Sequence, residues 1–507
     1  MASLDQQPLL FSGDEQAVVD SIPQNQSKST GNGTSLGDDV DSAPIKSVNG
    51  FFGAFLLESK KLWFLAGPSL FTSVAQYSLN AITQTFAGHV GTIELAATSV
   101  QNTVIGGFTY GILLGMGSAL ETLCGQAYGA GQLDMLGIYV QRSWVILTAT
   151  ALLCTPFYIF SGRLLRLIGQ SEAVSEAAGT FAIYMLPQLF AYAINFPVAR
   201  FLQAQSKVVV MTVISAVALV LHTIFSWLFM LKLGWGLVGA AVVLNASWWF
   251  IVVAQMLYVV GGSCAAAWTG FSWAAFKDLW GFVKLSLASA VMMCLEIWYY
   301  TVLVLFAGYF KNAEISIDGL SICMNILGWT IMTALGFQTA VSVRVSNELG
   351  AGHPRAARFS VVGAVSNSFL IGLILSIILV IFQSSYPSLF TNNADVKALV
   401  SELTPLLALT IAIDNVQPVL SGVAIGAGWQ AFVAYVNIGC YYVFGVPLGL
   451  ILGYKLGFGV KGIWYGMVAG TVVQTAILIG MVYRTSWNKE ASKAIDRIRL
   501  WGGPQDS

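Results

Sequence analysis

Charge is what this chain has least of. Of its 507 residues only 9% are Asp, Glu, Lys or Arg and 56% are hydrophobic, against roughly 25% charged in an ordinary soluble domain. A water-soluble fold is excluded on that ground. Basic and acidic residues balance at 24 each, so the net charge is zero and no basic field exists to gather nucleic acid. Histidine is nearly absent. His89, His222 and His353 are scattered, which leaves neither ligand spacing for a metal site nor the paired His and Asp of a membrane-embedded enzyme. The six cysteines (Cys124, Cys154, Cys264, Cys294, Cys323, Cys440) form no CxxC and lie mostly in or beside apolar runs. They read as small buried hydrophobes. No pattern calls for a metal or an organic cofactor.

Residues 1–50 are rich in Asp, Gln, Ser, Asn and Gly and are expected to form a disordered tail. They lack the basic-then-apolar pattern of a secretory signal, so the first membrane helix is expected to direct insertion. From Leu62 onward, apolar stretches of about twenty residues, enough to cross a bilayer, follow one another with short polar breaks. Spans are expected near 63–87, 96–122, 138–160, 177–199, 208–232, 236–260, 279–308, 318–342, 358–382, 399–424, 432–453 and 460–483. The predicted fold is all-α, with twelve transmembrane helices. Lysine and arginine in the flanks favour placing both termini in the cytosol. Lys60, Lys61, Arg142, Arg200, Lys207, Lys277, Arg344, Arg355, Arg358 and the C-terminal set fall on that side; Arg163, Arg166, Lys232, Lys311, Lys397, Lys455 and Lys461 fall on the other. The sequons at Asn25 and Asn32 would then stay unglycosylated.

The chain repeats itself. Leu114-Gly115-Met116-Gly117-Ser118-Ala119 and Gly129-Ala130-Gly131 match Leu335-Gly336-Phe337-Gln338-Thr339-Ala340 and Gly350-Ala351-Gly352 at an offset of 221. Pro197 matches Pro418 at the same offset, and Gly239 matches Gly462 at nearly the same one. Matches in register indicate duplication. Six helices per half is an even number, so the halves are parallel repeats, an arrangement that places a solute site between them. The division expected is a tail at 1–50, a six-helix lobe at 51–260, a linker at 261–278, a second lobe at 279–484 and a cytoplasmic tail at 485–507.

A charge inside the membrane costs about 2.5–3.5 kcal/mol on insertion scales and invites a functional hypothesis. Glu296 lies in the middle of the seventh span and Asp414 deep in the tenth. Desolvation favours the neutral form of a carboxyl group, so each is a candidate to load and release a proton; a structural carboxyl bonded to a neighbouring helix is the alternative. Pro418 has no N–H to offer the carbonyl of Asp414, so a kink is expected there. Asn415 and Gln417 add neutral hydrogen-bonding capacity beside it. Tyr299 and Tyr300 follow Glu296 at helical spacing and can share its face. Ala193 occupies the repeat position of Asp414, so coupling is expected to belong to the second half. Trp298, Gln76, Asn80 and Thr83 are candidates to line a solute cavity. Glu121, Gln126, Arg344, Asn347 and Glu348 are candidates for a gate between the lobes.

These residues carry a resemblance. Cys124-Gly125-Gln126-Ala127-Tyr128-Gly129-Ala130, Cys294-Leu295-Glu296-Ile297-Trp298-Tyr299, Arg344 through Gly352, and Gln417-Pro418-Val419-Leu420-Ser421-Gly422-Val423 through Gly428-Trp429-Gln430 resemble the plant branch of the multidrug and toxic compound extrusion (MATE) family, from about residue 55 to 487. The resemblance implies a V-shaped cavity between two six-helix lobes, organic solutes exported in exchange for protons, and Glu296 and Asp414 as the protonation sites. It implies no cofactor, with a proton gradient as the energy source. One departure stands out: many prokaryotic members have an aspartate where this chain has Thr83, so no ion site is expected in the N-terminal lobe. The stretches Ser342–Asn347 and Glu296–Tyr299 look like those of members that load flavonoid glycosides or other secondary metabolites, such as alkaloids, into the vacuole. Asp5-Gln6-Gln7-Pro8-Leu9-Leu10 fits an acidic dileucine signal read by a sorting adaptor, which favours the vacuolar membrane over the plasma membrane. A lipid-linked oligosaccharide flippase and an uncoupled solute facilitator remain as alternatives, the former disfavoured by the scarcity of Arg and Lys in the spans.

Overall fold

An apolar segment in lipid satisfies its own backbone by forming a helix, and the described residues are almost entirely helical. The structure, a computed structural model, describes residues 41–42, 47–277, 279–307 and 313–500. The sorting motif with Asp5, Leu9 and Leu10, the sequons at Asn25 and Asn32, Asp278 and Lys311 lie outside the described residues. The helices are α1 (Val48–Val90), α2 (Thr92–Gly129), α3 (Leu133–Ile159), α4 (Glu172–Tyr184 with Leu186–Ala204), α5 (Val208–Lys232) and α6 (Gly236–Ser263). The second half holds α7 (Leu279–Ala307), α8 (Ala313–Gly350), α9 (Pro354–Ile381), α10 (Ala394–Ala427), α11 (Gln430–Lys455) and α12 (Gly459–Arg484), followed by α13 (Trp487–Leu500).

Among the described residues ten of these helices are long and apolar enough to cross a bilayer, and the two pieces of α4 make an eleventh crossing bent by 49°. The bend falls at Met185, two residues before Pro187, whose ring cannot continue the preceding hydrogen-bond ladder. The sequence had suggested an unbroken span there. The twelfth helix, α1, runs for 43 residues. Gln76, Asn80, Thr83 and Gln84 dilute its hydropathy, as expected of a helix turned toward a polar interior rather than lipid. The fold is the twelve-helix, two-lobe arrangement.

The halves interlock reciprocally. Helix α7 packs along α2, and its counterpart α1 packs along α8. Small residues set both contacts: a Cβ on Gly115 of α2 would stand 2.6 Å from the Cα of Ala290, and one on Gly336 of α8 would stand 2.9 Å from the carbonyl of Ala66. Gly115 and Gly336 are repeat equivalents. At the end where α2 and α8 terminate, equivalent residues touch each other. The Ser342 hydroxyl donates to Glu121 Oε2 at 2.6 Å, and Ser346 lies directly over Gly125. A Cβ on Gly129 would overlap the carbonyl of Asn347, and one on Gly350 the carbonyl of Gln126. Contacts between residues one repeat apart place a pseudo-two-fold axis between α2 and α8.

The described part of the expected linker, residues 261–277, is docked against α3. The Gln141 side chain donates to the Gly270 carbonyl at 3.0 Å and accepts from the Ser272 N–H at 2.8 Å. Residues 485–507 were expected as a simple tail, but the amphipathic α13 within them packs on α2, α8 and α9, so it touches both lobes. All six cysteines are free and buried.

Gly129→Ala and Gly350→Ala are each expected to cost about 1–3 kcal/mol in detergent unfolding, because the methyl group meets backbone that cannot step aside. Gly480→Ala, where a Cβ would find open space, is expected to stay within about 0.5 kcal/mol.

Candidate functional site

The carboxyls singled out in the sequence fall in one polar seam inside the second lobe, between α7, α10, α11 and α12. Helix α10 is interrupted at Asn415–Val416: its first piece ends at Asp414 and its second begins at Gln417. The break sits just before Pro418, where the missing N–H placed it. Its repeat equivalent Pro197 lies inside an unbroken piece of α4, so the same proline produces a break in only one half.

Asp414 is 1% exposed. Its Oδ2 accepts from the Tyr300 hydroxyl at 3.2 Å, while its Oδ1 has no hydrogen-bond partner among the described residues. Glu296, one helical turn before Tyr300, accepts at Oε1 from the Ser421 hydroxyl at 2.8 Å and the Asn437 amide at 3.2 Å. Gln417 donates to Ser421 at 3.2 Å, and Gln474 to Asn437 at 3.2 Å. One face of α7 therefore grips α10 on both sides of its break, at Asp414 before it and at Ser421 after it.

The two tyrosines divide in role. Tyr300 serves Asp414. Tyr299 turns away, donates to the carbonyls of Gly466 and Met467 at 3.1 and 3.0 Å, and stacks on Tyr441 with ring centroids 4.2 Å apart. Asn415 does not face the carboxyls. Its amide oxygen accepts from Thr333 at 2.9 Å and its amide nitrogen donates to the Ile411 carbonyl at 2.8 Å, which caps the first piece of α10. Pro418 is buried beside it.

The residues proposed for a solute cavity separate. Trp298 is 41% exposed and stacks on Phe108 of α2 across the lobe interface, with centroids 5.8 Å apart. Gln76 is half-buried on α1. Asn80, also half-buried, reaches the Tyr192 hydroxyl of α4. Thr83 is buried within the N-terminal lobe, where it meets His222 Nε2 at 3.0 Å.

The residues proposed for a gate come together at the end of the molecule where α1 begins and α13 lies. Glu121 is ion-paired with Arg200. Arg344 lies between Glu58, with Nε 2.9 Å from Oε1, and Glu348, with Nη1 2.7 Å from Oε1. Glu348 also meets His353 Nδ1 at 3.0 Å. Gln126 and Asn347, repeat equivalents, each reach across the interface: Gln126 donates to the Gly426 carbonyl and Asn347 to the Ala204 carbonyl, both at 3.1 Å. Arg497 of α13 donates to Gln126 Oε1 at 2.7 Å. The lobes are thus closed on each other at this end.

The sequence reading missed Ser421, Asn437 and Gln474 as partners of the carboxyls, and Glu58 and Arg497 in the closure. Asn437 and Gln474 carried a usable signal, since each is an isolated amide in an apolar span. Glu58 and Arg497 looked like ordinary flanking charges.

A paired-lobe membrane bundle with a polar seam in one lobe and a latched end is an architecture found among membrane transporters. A sequence model of the MatE family matches residues 68–228 and 288–451, one stretch in each half, and the chain belongs to the MATE family of transporters. Protein DETOXIFICATION 29 of Arabidopsis thaliana is 66% identical over 463 residues, covering 91% of this chain and 93% of that protein. Protein DETOXIFICATION 32 of the same plant is 62% identical over 464 residues, covering 92% and 90%. The crystal structure of the eukaryotic MATE transporter AtDTX14 superposes with a TM-score of 0.83 at 34% identity, covering 88% of this chain and 99% of that one. The bent form of the Vibrio cholerae MATE transporter VcmN shares the fold, with a TM-score of 0.75 at 17% identity, covering 89% and 100%.

Tyr300→Phe, which leaves Asp414 without its hydroxyl partner, is expected to slow solute transport at least several-fold with little change in melting temperature. Tyr299→Phe is expected to do the reverse, retaining transport and losing about 1 kcal/mol of stability for the bonds to Gly466 and Met467.

Proposed function

We propose that this transporter is a proton-coupled antiporter that removes organic solutes, of the class of flavonoid glycosides or alkaloids, from the cytosol. The observation that supports the reading best is Asp414, a deeply buried carboxyl with one oxygen hydrogen-bonded and the other unpartnered. A buried carboxylate whose oxygens are not all hydrogen-bonded is costly, which suits the group to carrying a proton. Glu296, better served with hydrogen bonds, is the second carboxyl of the seam.

Protonation of Asp414 from the acidic side lets its carboxyl donate as well as accept, which changes its bond with Tyr300 and the grip of α7 on the two pieces of α10. The pieces then shift about Asn415–Val416, and the cavity releases solute. Deprotonation toward the cytosol restores the solute-accepting arrangement. Solute and proton compete through differential affinity for two states, which is sufficient for exchange. No cofactor takes part, and the proton gradient supplies the energy. The latched end is the cytosolic one, consistent with the lysine and arginine count and with both termini lying there.

Vesicles carrying the purified protein and an imposed pH gradient test the coupling. The expected result is gradient-dependent uptake of a flavonol glucoside, abolished by Glu296→Gln and by Asp414→Asn while solute binding persists. Uptake that ignores the gradient, or survives both substitutions, sinks the coupling and favours a facilitator. Vacuolar delivery rests on the Asp5, Leu9, Leu10 motif and a sorting adaptor. Leu9→Ala with Leu10→Ala is expected to divert a fluorescent fusion from the vacuolar to the plasma membrane, and an unchanged distribution would remove the motif from the account.

A further inference from the structure

The first lobe has no counterpart of Asp414, since Ala193 stands in its place, yet it buries a titratable group that the mechanism above does not use. His222 of α5 is 1% exposed. Its ring is held on both edges by groups from three helices. Nε2 lies 3.0 Å from the Thr83 hydroxyl of α1 and 3.3 Å from the Ser226 hydroxyl of α5. Nδ1 lies 2.9 Å from the Ser247 hydroxyl of α6. The carbonyls of Leu79 and Val243 lie against the ring edges as well.

The direction of these bonds is constrained. Thr83 donates its proton to the Leu79 carbonyl at 2.9 Å, and Ser247 donates its own to the Val243 carbonyl at 2.8 Å. Each hydroxyl has one proton to give. While both are committed to carbonyls, their oxygens can only accept from the ring, and a ring that donates from both nitrogens is an imidazolium. Ser226 supplies the other state: its hydroxyl has no carbonyl acceptor among the described residues and can turn to donate to Nε2, leaving a neutral ring with its proton on Nδ1. One hydroxyl rotation therefore converts a site for neutral histidine into a site for charged histidine, with every ring nitrogen satisfied in both.

We propose that the His222 cluster is a proton-binding site in the N-terminal lobe. Its surroundings from α1, α5 and α6 are hydroxyls and carbonyls, and no Asp, Glu, Lys or Arg acts on the ring. His89, six residues along α1 from Thr83, is exposed. His222 lies fourteen residues into α5, about 21 Å along the helix, and so toward the membrane face opposite the latched end. Binding of the proton is independent of the antiport reading; a contribution of that proton to coupling rests on it.

Only three histidines are present, so the protein labelled with 15N in the imidazole rings gives three resolvable sets of signals. His222→Gln assigns the buried set; should that variant fail to fold, His89→Gln and His353→Gln assign it by elimination. On acidification from about pH 8 to the lowest pH at which the protein stays folded, the expected result is conversion of the His222 signals from a neutral tautomer to the imidazolium pattern. A His222 that keeps one neutral tautomer throughout, or is imidazolium throughout, overturns the proposal. In vesicles, His222→Gln is expected to change the pH profile of flavonol glucoside uptake while leaving uptake gradient-driven through Asp414. Loss of coupling in Glu296→Gln and Asp414→Asn tests the C-terminal site alone and leaves the His222 titration unaffected.

Discussion

The two lobes meet backbone to backbone about a single pseudo-two-fold axis, and everything else in the molecule is arranged around that approach. Lipid offers no hydrophobic force between helices, so close contact depends on small residues and buried hydrogen bonds. Gly115 and Gly336 let α7 and α1 pack closely against a helix of the opposite lobe, and Gly129 and Gly350 let the ends of α2 and α8 touch. With the backbones so close, Glu121 reaches Ser342, and Gln126 and Asn347 reach carbonyls on the far side. Each is a bond that a few ångströms of separation would break. Together these contacts close the lobes on each other at this end.

On this symmetric frame the chemistry is uneven. The second lobe breaks α10 beside Asp414 and fills the seam with Glu296, Tyr300, Ser421, Asn437 and Gln474. The first lobe keeps the equivalent segment helical around Pro197, with Ala193 in the core, and places its titratable group, His222, on a different helix. One face of α7 holds both pieces of α10, so both carboxyls lie beside its break. The closed end has Arg344 held between two glutamates and α13 laid across both lobes.

Much of this was legible from the residues because the bilayer punishes polar groups and so makes each one informative. Glu296, Asp414 and the break before Pro418 followed from that cost and from the missing proline N–H, and the repeat at an offset of 221 pointed to two parallel halves. The bend in α4 was not foreseen, because Pro187 sits in a run that reads as one span. Thr83 looked like a cavity residue on its own helix face, but its hydroxyl is committed to the interior of the first lobe by contacts with α5. The docking of α13, with Arg497 on Gln126, depends on a partner 371 residues away, which no local pattern encodes.

The central claim is that solute and proton compete for one lobe, and the most direct measurement is a count of protons released when solute binds. A flavonol glucoside titrated into the purified protein, in weakly buffered detergent solution below neutral pH, is predicted to release protons in proportion to occupancy, and Asp414→Asn is predicted to bind with much smaller release. Binding of the glucoside with no proton release in the unmodified protein would contradict the account.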